Sequence, residues 1–292
     1  RRAEELSRLS GCPVPAGDVA GVDVLRDAIC LLQESYRFDR HSGIGFLARA
    51  VNDNQPSALV QAFSGQYPDI SLHHPSSTEE YARMLDEVVT GHQDFWAALQ
   101  QGADPSVVLQ AFSRYQLLCA LREGPFGVVG LNERIEQAIF RQRIVARPAG
   151  AARWYHGRPV MITRNDSSLG LFNGDIGITL AGETGLRVWF TLPDGSLKSV
   201  LPGRLPGHET AWAMTVHKSQ GSEFEHVLLV LPQQFTPVVT RELVYTAITR
   251  AKTRFTLLEA KVGLLELAAQ TVTRRESGLG DALLARQGAQ TL

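Results

Sequence analysis

Two stretches late in the sequence gather side chains suited to phosphate. Residues 211–224 (AWAMTVHKSQGSEF) carry a hydroxyl, an imidazole and an ammonium at Thr215, His217 and Lys218, then Gln220, Gly221 and Glu223 in a polar turn. Residues 240–252 (TRELVYTAITRAK) bring Arg250 to the end of a helix predicted over 242–250, just before a strand. A guanidinium is planar, always charged and forked, a match for phosphate oxygens. A helix-end arginine also complements the helix macrodipole, so Arg250 carries two readings. Thr215 and His217 alternate with Val216, which on an extended segment turns both to one side. A buried, backbone-satisfied imidazole is the competing reading of His217, and simple surface charge that of Lys218. Gly221 allows φ > 0 or close backbone approach. Earlier, Gly124-Pro125-Phe126-Gly127 leads to a helix opening near Asn132. That end either offers free N–H groups to a phosphate or is an ordinary turn with Asn132 as N-cap.

These residues need a frame. The apolar runs 115–121 (YQLLCAL), 226–231 (HVLLVL) and 254–259 (RFTLLE) read as buried strands, and helical patterns intervene. Such alternation predicts a parallel sheet in an α/β domain, with ligand chemistry on the loops at its strand ends. Residues 43–51 and 264–269 read as short helices, and 69–110 as helical in character, with Phe95, Trp96 and Leu99 on a second segment. Asp86-Glu87 lies within that last stretch on a polar helix and not at the end of a strand, which excludes it as a magnesium-binding acid pair. From Arg153 the period shortens. Strand candidates at 159–163, 175–180, 186–190 and 197–201 alternate with turn signals such as Asn173-Gly174 and Asp194-Gly195. Short strands so punctuated predict a small antiparallel barrel inserted at 151–207. Its Trp189, Phe190, Phe172, Arg164 and Arg187 are either core or a base-stacking surface.

Composition narrows the class. The 292 residues are 44% hydrophobic and 20% charged with net charge −1, as in an ordinary soluble protein with no global basic field. No apolar run reaches the roughly 20 residues of a membrane span, and no apolar leader opens the chain. Cys12, Cys30 and Cys119 form no C-x-x-C pair, which fits a reducing, cytoplasmic setting. Only four lysines occur, so most basic charge is arginine. With no initiator Met, the chain is expected to be a fragment of something longer.

The residues 211–224 and 240–252, with residues 31–38 (LLQESYRF), 115–132 (YQLLCALREGPFGVVGLN), 171–178 (LFNGDIGI) and the tail at 274–279, resemble the RecD family of superfamily-one helicases over nearly the whole chain. The resemblance implies a RecA-like parallel sheet with helices on both faces, interrupted by a Src-homology-3-like barrel. Its expected organisation is a linker at 1–22, a second motor domain at 23–150 and 208–262, the barrel at 151–207, and a C-terminal helix and tail at 263–292. It implies Arg250 and Arg37 at the γ-phosphate of ATP, Tyr36 at the adenine, and Gln220, Gly221 and Glu223 at the nucleotide cleft. It implies Thr215, His217, Lys218 and the Asn132 helix end at single-stranded DNA. ATP with Mg2+ is the implied cofactor, and RecB-like and RecC-like subunits are the implied partners. No G-x-x-x-x-G-K-[ST] occurs in the chain, so the phosphate cradle is expected in a first motor domain. A stand-alone RecD-like or relaxase-type helicase domain and a non-catalytic RecA-like DNA-binding scaffold are the rival expectations.

Overall fold

The computed structural model describes residues 2–11, 38, 41–75, 77–150, 152–273 and 278. The chain divides into two compact units, Arg1–Arg37 and Phe38–Leu292. Of the first, helix α1 (Arg2–Ser10) is described. The predicted contacts Tyr36 and Arg37 lie outside the described residues, as does the motif at 274–277.

The second unit runs α2 (Gly43–Asn52), α3 (Pro56–Ala62), β1 (Ile70–His73), α4 (Thr78–Gly91), α5 (Gln93–Gln100), α6 (Pro105–Phe112), β2 (Tyr115–Cys119) and α7 (Val128–Arg141). Strands β3 (Pro159–Ile162), β4 (Ile176–Gly182), β5 (Gly185–Thr191), β6 (Leu197–Val200) and β7 (His208–Thr210) follow. Then come β8 (Ala213–Thr215), β9 (Phe224–Leu231), α8 (Arg241–Ile248), β10 (Ala251–Glu259) and α9 (Leu264–Gln270).

Local chemistry starts most of the helices. Ser42, Ser77, Asp104 and Thr240 cap α2, α4, α6 and α8 with side-chain acceptors, and Pro56 and Pro105 sit in first turns where no N–H is needed. Asp69 strengthens the α2 start by accepting from Ser42 Oγ and from the Gly43 and Ile44 amides at 2.9–3.1 Å. Gly43 is required there, because a Cβ would stand 2.5 Å from both Asp69 and Tyr67.

Five parallel strands form one sheet in the order β1-β10-β9-β2-β8. Alternate residues feed opposite faces, as the strand period demands. Leu118, Met214, Val227, Leu229, Phe255 and Leu257 pack with α2, α3, α8 and α9. Leu117, Cys119, Ala213, Leu228, Val230 and Leu258 pack with α4 to α7. The sheet therefore has helices on both faces, and each fully buried large side chain stabilises by roughly 1.5–3 kcal/mol.

The inserted segment is a five-stranded antiparallel sheet, β6-β5-β4-β3-β7, with its own small core of Val160, Ile162, Leu171, Val188, Phe190 and Val200. Among the described residues its outer strands β6 and β7 are not paired with each other, so the segment is seen as an antiparallel sheet and its closure into the expected small barrel is not seen. Strand β7 carries the sheet to Thr210, three residues beyond the expected boundary. Two further expectations change. Residues 69–110 are not helical throughout, since Ile70–His73 is the edge strand of the parallel sheet. Helix α8 ends at Ile248, which leaves Arg250 in the turn before β10. No helix among the described residues is long and apolar enough to cross a membrane.

Candidate functional site

The stretch after β8 folds as a short 3₁₀ turn, Val216–Ser219, capped by Thr215, whose Oγ1 accepts from Lys218 N at 3.4 Å. Val216 and Ser219 point inward and are buried, which leaves His217 and Gln220 exposed. The turn closes through Gly221 at φ 90°, with no atom within 4 Å of where a Cβ would lie. The backbone angle, not crowding, calls for glycine there.

The chain then enters β9 beside the start of β10. Phe224 N donates to Arg250 O at 2.9 Å, and Arg250 Nη1 donates to Ser222 O at 3.1 Å. Arg250 Nε also donates to Thr246 O at 3.3 Å, and Nη2 reaches Thr249 Oγ1 at 3.5 Å. Lys252 Nζ stands 3.7 Å from Glu223 Oε2. Between Ala251 and Arg254 the β10 register slips against β9, a bulge of the kind that re-aims side chains at strand ends. Gly221, Glu223 and Arg250 are thus brought together, with Gln220 next to them in the chain.

Of the proposed DNA contacts, Thr215 lies at the other end of the sheet. Thr215 is level with Cys119 and Val230, six residues along β9 from Phe224, or about 20 Å at the rise of a strand. The expected extended alternation of Thr215 and His217 does not hold, since the strand ends at Thr215 and His217 belongs to the 3₁₀ turn. Lys218 Nζ bonds Asn173 Oδ1 in the turn before β4, which ties this loop to the inserted sheet.

Asn132 is not where the sequence suggested. Helix α7 begins at Val128 with Gly127 as its cap, so Asn132 is one turn inside and buried. Its Nδ2 donates to Ala213 O at 3.1 Å and its Oδ1 accepts from Ala213 N at 2.9 Å. A side chain so engaged is not a DNA contact. At the helix start the Gly127, Val128 and Val129 amides already bond the Gly124, Leu121 and Arg122 carbonyls. In the inserted sheet Phe190 is core and Arg187 bonds Ser199, while Phe172 and Arg164 are exposed.

Behind the loop stands an aromatic nest. Trp212 is fully buried against His92, Phe95, Trp96 and Phe112 at centroid distances of 5.2–5.9 Å. Its Nε1 donates to Tyr155 Oη at 2.9 Å, and Tyr155 Oη donates to Glu136 Oε1 at 2.8 Å. Burial raises the Glu136 pKa, against the lowering effects of the Tyr155 hydrogen bond and of Arg158. Neither ring nitrogen of His92 has a hydrogen-bond partner, and burial lowers its pKa to about 3. Among the described residues, no three His, Cys, Asp or Glu side chains come together as metal ligands.

Residues 210–258, which hold both candidate clusters, match the family model of the UvrD-like helicase C-terminal domain. The chain is 36% identical over 300 residues to the RecBCD enzyme subunit RecD of Haemophilus influenzae, covering 97% of this chain and 45% of that protein. It is 35% identical over 280 residues to the same subunit of Mycobacterium tuberculosis, covering 95% and 47%. The chain belongs to the RecD family. It spans less than half the length of these relatives. The ATP-dependent RecD2 DNA helicase of Deinococcus radiodurans is 39% identical over 142 residues, 48% of this chain and 19% of that one. Among solved structures, Pif1 helicases at forked double-stranded DNA give a TM-score of 0.40 at 16% identity over 88% of this chain and 54% of that one.

Within this RecD-family chain, sequence reasoning missed four residues of the site. Ser222 holds the Arg250 guanidinium through its carbonyl, a backbone role that no residue type announces. Lys252 closes on Glu223, and its place two residues after Arg250 was the available signal. Asn173 and Tyr155 reach the loop from the inserted segment across 45 and 57 residues, beyond any local pattern.

Proposed function

We propose that this chain is the second, RecA-like motor domain of an ATP-dependent 5′→3′ DNA helicase subunit of RecD type, working with RecB-like and RecC-like partners on broken DNA ends. The observation that carries the reading is the junction of Arg250 with the Gly221–Glu223 turn, through the bond to Ser222 O. An arginine held at a strand end by carbonyls can exchange those acceptors for phosphate oxygens, which form stronger charge-assisted bonds. In phosphoryl transfer, negative charge spreads over the transferring group, and a planar, permanently charged donor stabilises it. Arg250 takes that role toward the γ-phosphate of ATP. Gln220, Gly221 and Glu223 border the same cleft.

Thr215, His217 and Lys218 face the backbone of single-stranded DNA, with Thr215 about 20 Å along the sheet from the level of Phe224. The 3₁₀ turn joins the two sets directly, so a shift on the nucleotide side displaces the DNA side. The inserted sheet fits a Src-homology-3-like module whose exposed Phe172 and Arg164 extend the DNA path. The P-loop and the acid that holds Mg2+ belong to a first motor domain, because the chain contains no G-x-x-x-x-G-K-[ST].

The test is ATPase assay of the purified chain, alone and within the longer protein. The chain alone is expected to show no DNA-stimulated hydrolysis, and the longer protein to show it. DNA-stimulated hydrolysis by the chain alone would overturn the half-motor reading.

A further inference from the structure

Helix α7 presents Asn132 and Glu136 one turn apart on the same face. Both act on the segment that leads into the loop at Thr215. Asn132 bonds the N–H and the C=O of Ala213, and Glu136 holds Trp212 through the Tyr155 hydroxyl. Two successive residues are therefore fixed from one helix. The place matters because β8 is the outermost strand of the parallel sheet, with β2 as its single strand neighbour. An edge strand leaves backbone groups unpaired, and the Asn132 amide satisfies a donor and an acceptor together, as a further strand would. Ala213 is fully buried, so water cannot substitute. Two residues on, Thr215 caps the 3₁₀ turn that sets out His217 and Lys218.

We propose that Asn132 is the positioning residue of this loop, fixing β8 so that Thr215, His217 and Lys218 are held ready for a phosphodiester backbone. The DNA part of this inference rests on the proposed function. A side chain in this place needs one donor and one acceptor at fixed spacing. Asp supplies both only when protonated, and Leu supplies neither. The charged groups sharing a cavity of about 500 Å³ with Asn132 are Glu133 and Glu136 of α7, Arg147, Arg153 and Arg158 of the connection to β3, and Glu209 of β7. Burial beside the Ala213 carbonyl would raise the pKa of an introduced carboxyl and make its protonation accessible in mild acid.

The experiment compares the full chain with its Asn132→Asp and Asn132→Leu variants across a pH series. It reads hydrogen exchange of amides 213–221 and binding of a fluorescein-labelled oligothymidylate, each relative to wild type at the same pH. At neutral pH, Asn132→Asp should expose those amides to faster exchange and weaken oligothymidylate binding about tenfold, the effect of one unsatisfied buried carbonyl. Both should return toward wild type as acid protonates the carboxyl, while Asn132→Leu should show no return. Exchange unchanged by Asn132→Asp at neutral pH would overturn the proposal. So would parallel behaviour of the two variants at every pH, the signature of lost packing alone. If Asn132→Leu does not fold, the Asn132→Asp series still decides. A wild-type chain that does not hold the oligothymidylate contradicts the proposed function, and the exchange data then judge the positioning role separately.

Discussion

Around Gly221 the polar side chains are exposed or half-exposed, and Arg250 is held by backbone carbonyls at 3.1–3.3 Å. A few residues earlier in the same stretch, Trp212 is fully buried, ringed by aromatics, and bonded to one hydroxyl at 2.9 Å. The first region holds its groups with weak acceptors that a phosphate can outbid. The second locks one side chain by packing and a bond in a dry interior. A moving part and its mount are built on adjacent residues. Perturbing the mount should change stability most, whereas perturbing the turn should change chemistry with a smaller effect on stability.

The largest stability effect is expected in the nest. Trp212→Ala should destabilise the chain by about 3–5 kcal/mol, the range for emptying a large aromatic site. Urea unfolding measures it, and a loss under about 1 kcal/mol would mean that the nest is not the mount.

Acid provides the next test. Burial lowers His92 to about 3 and His226 to about 4, the latter with a smaller contribution from Arg254. Below the ordinary histidine value of 6.5 the unfolded chain binds protons that the folded chain refuses, so stability falls as pH drops. Each histidine contributes to that loss between its folded value and 6.5, the fully buried His92 more than the partly buried His226. The raised Glu136 and Glu259 act in the opposite sense, their cost appearing as pH rises above the ordinary carboxylate value. His92→Phe keeps the stack on Phe112 and removes the two unpartnered nitrogens. It should flatten the acid limb of a melting-temperature profile without loss at neutral pH. An unchanged limb would place the acid sensitivity elsewhere.

In the turn the effects shrink. Gly221→Ala should cost about 1–2 kcal/mol from its left-handed backbone, with no steric addition because the space is open. Lys218→Ala should leave urea stability within about 0.5 kcal/mol. It should lower the salt slope of oligothymidylate binding by about 0.7, one single-strand phosphate contact. An unchanged slope would mean that Lys218 serves Asn173 alone.

The same contrast governs what the sequence made legible. Strands β2, β9 and β10 announced themselves as apolar runs because both faces of a central parallel strand are buried. The Gly221 turn was visible because its glycine answers a local angle. Strand β1 was hidden, being four residues at an edge among turn-forming neighbours. The start of α7 was obscured by Gly130, a poor helix former tolerated because a Cβ there would stand 2.5 Å from Gly124 O. Asn132 looked like a cap because its true partner, Ala213, lies 81 residues away. The helix ending at Arg250 was drawn two residues too long, since Thr249 and Arg250 continue the pattern while Thr249 already caps it.

The central claim concerns Arg250 and is tested most directly by steady-state ATPase kinetics of the chain joined to its proposed first motor domain and carrying Arg250→Ala or Arg250→Lys. Charge that develops in the transition state predicts a loss of about 10³–10⁵ in kcat for Arg250→Ala with little change in ATP affinity. Arg250→Lys should be nearly as damaging, because a point charge on a flexible stem lacks the fork. If Arg250→Lys restores kcat and Arg250→Ala lowers only the melting temperature, Arg250 is a helix-end cation and the account is wrong.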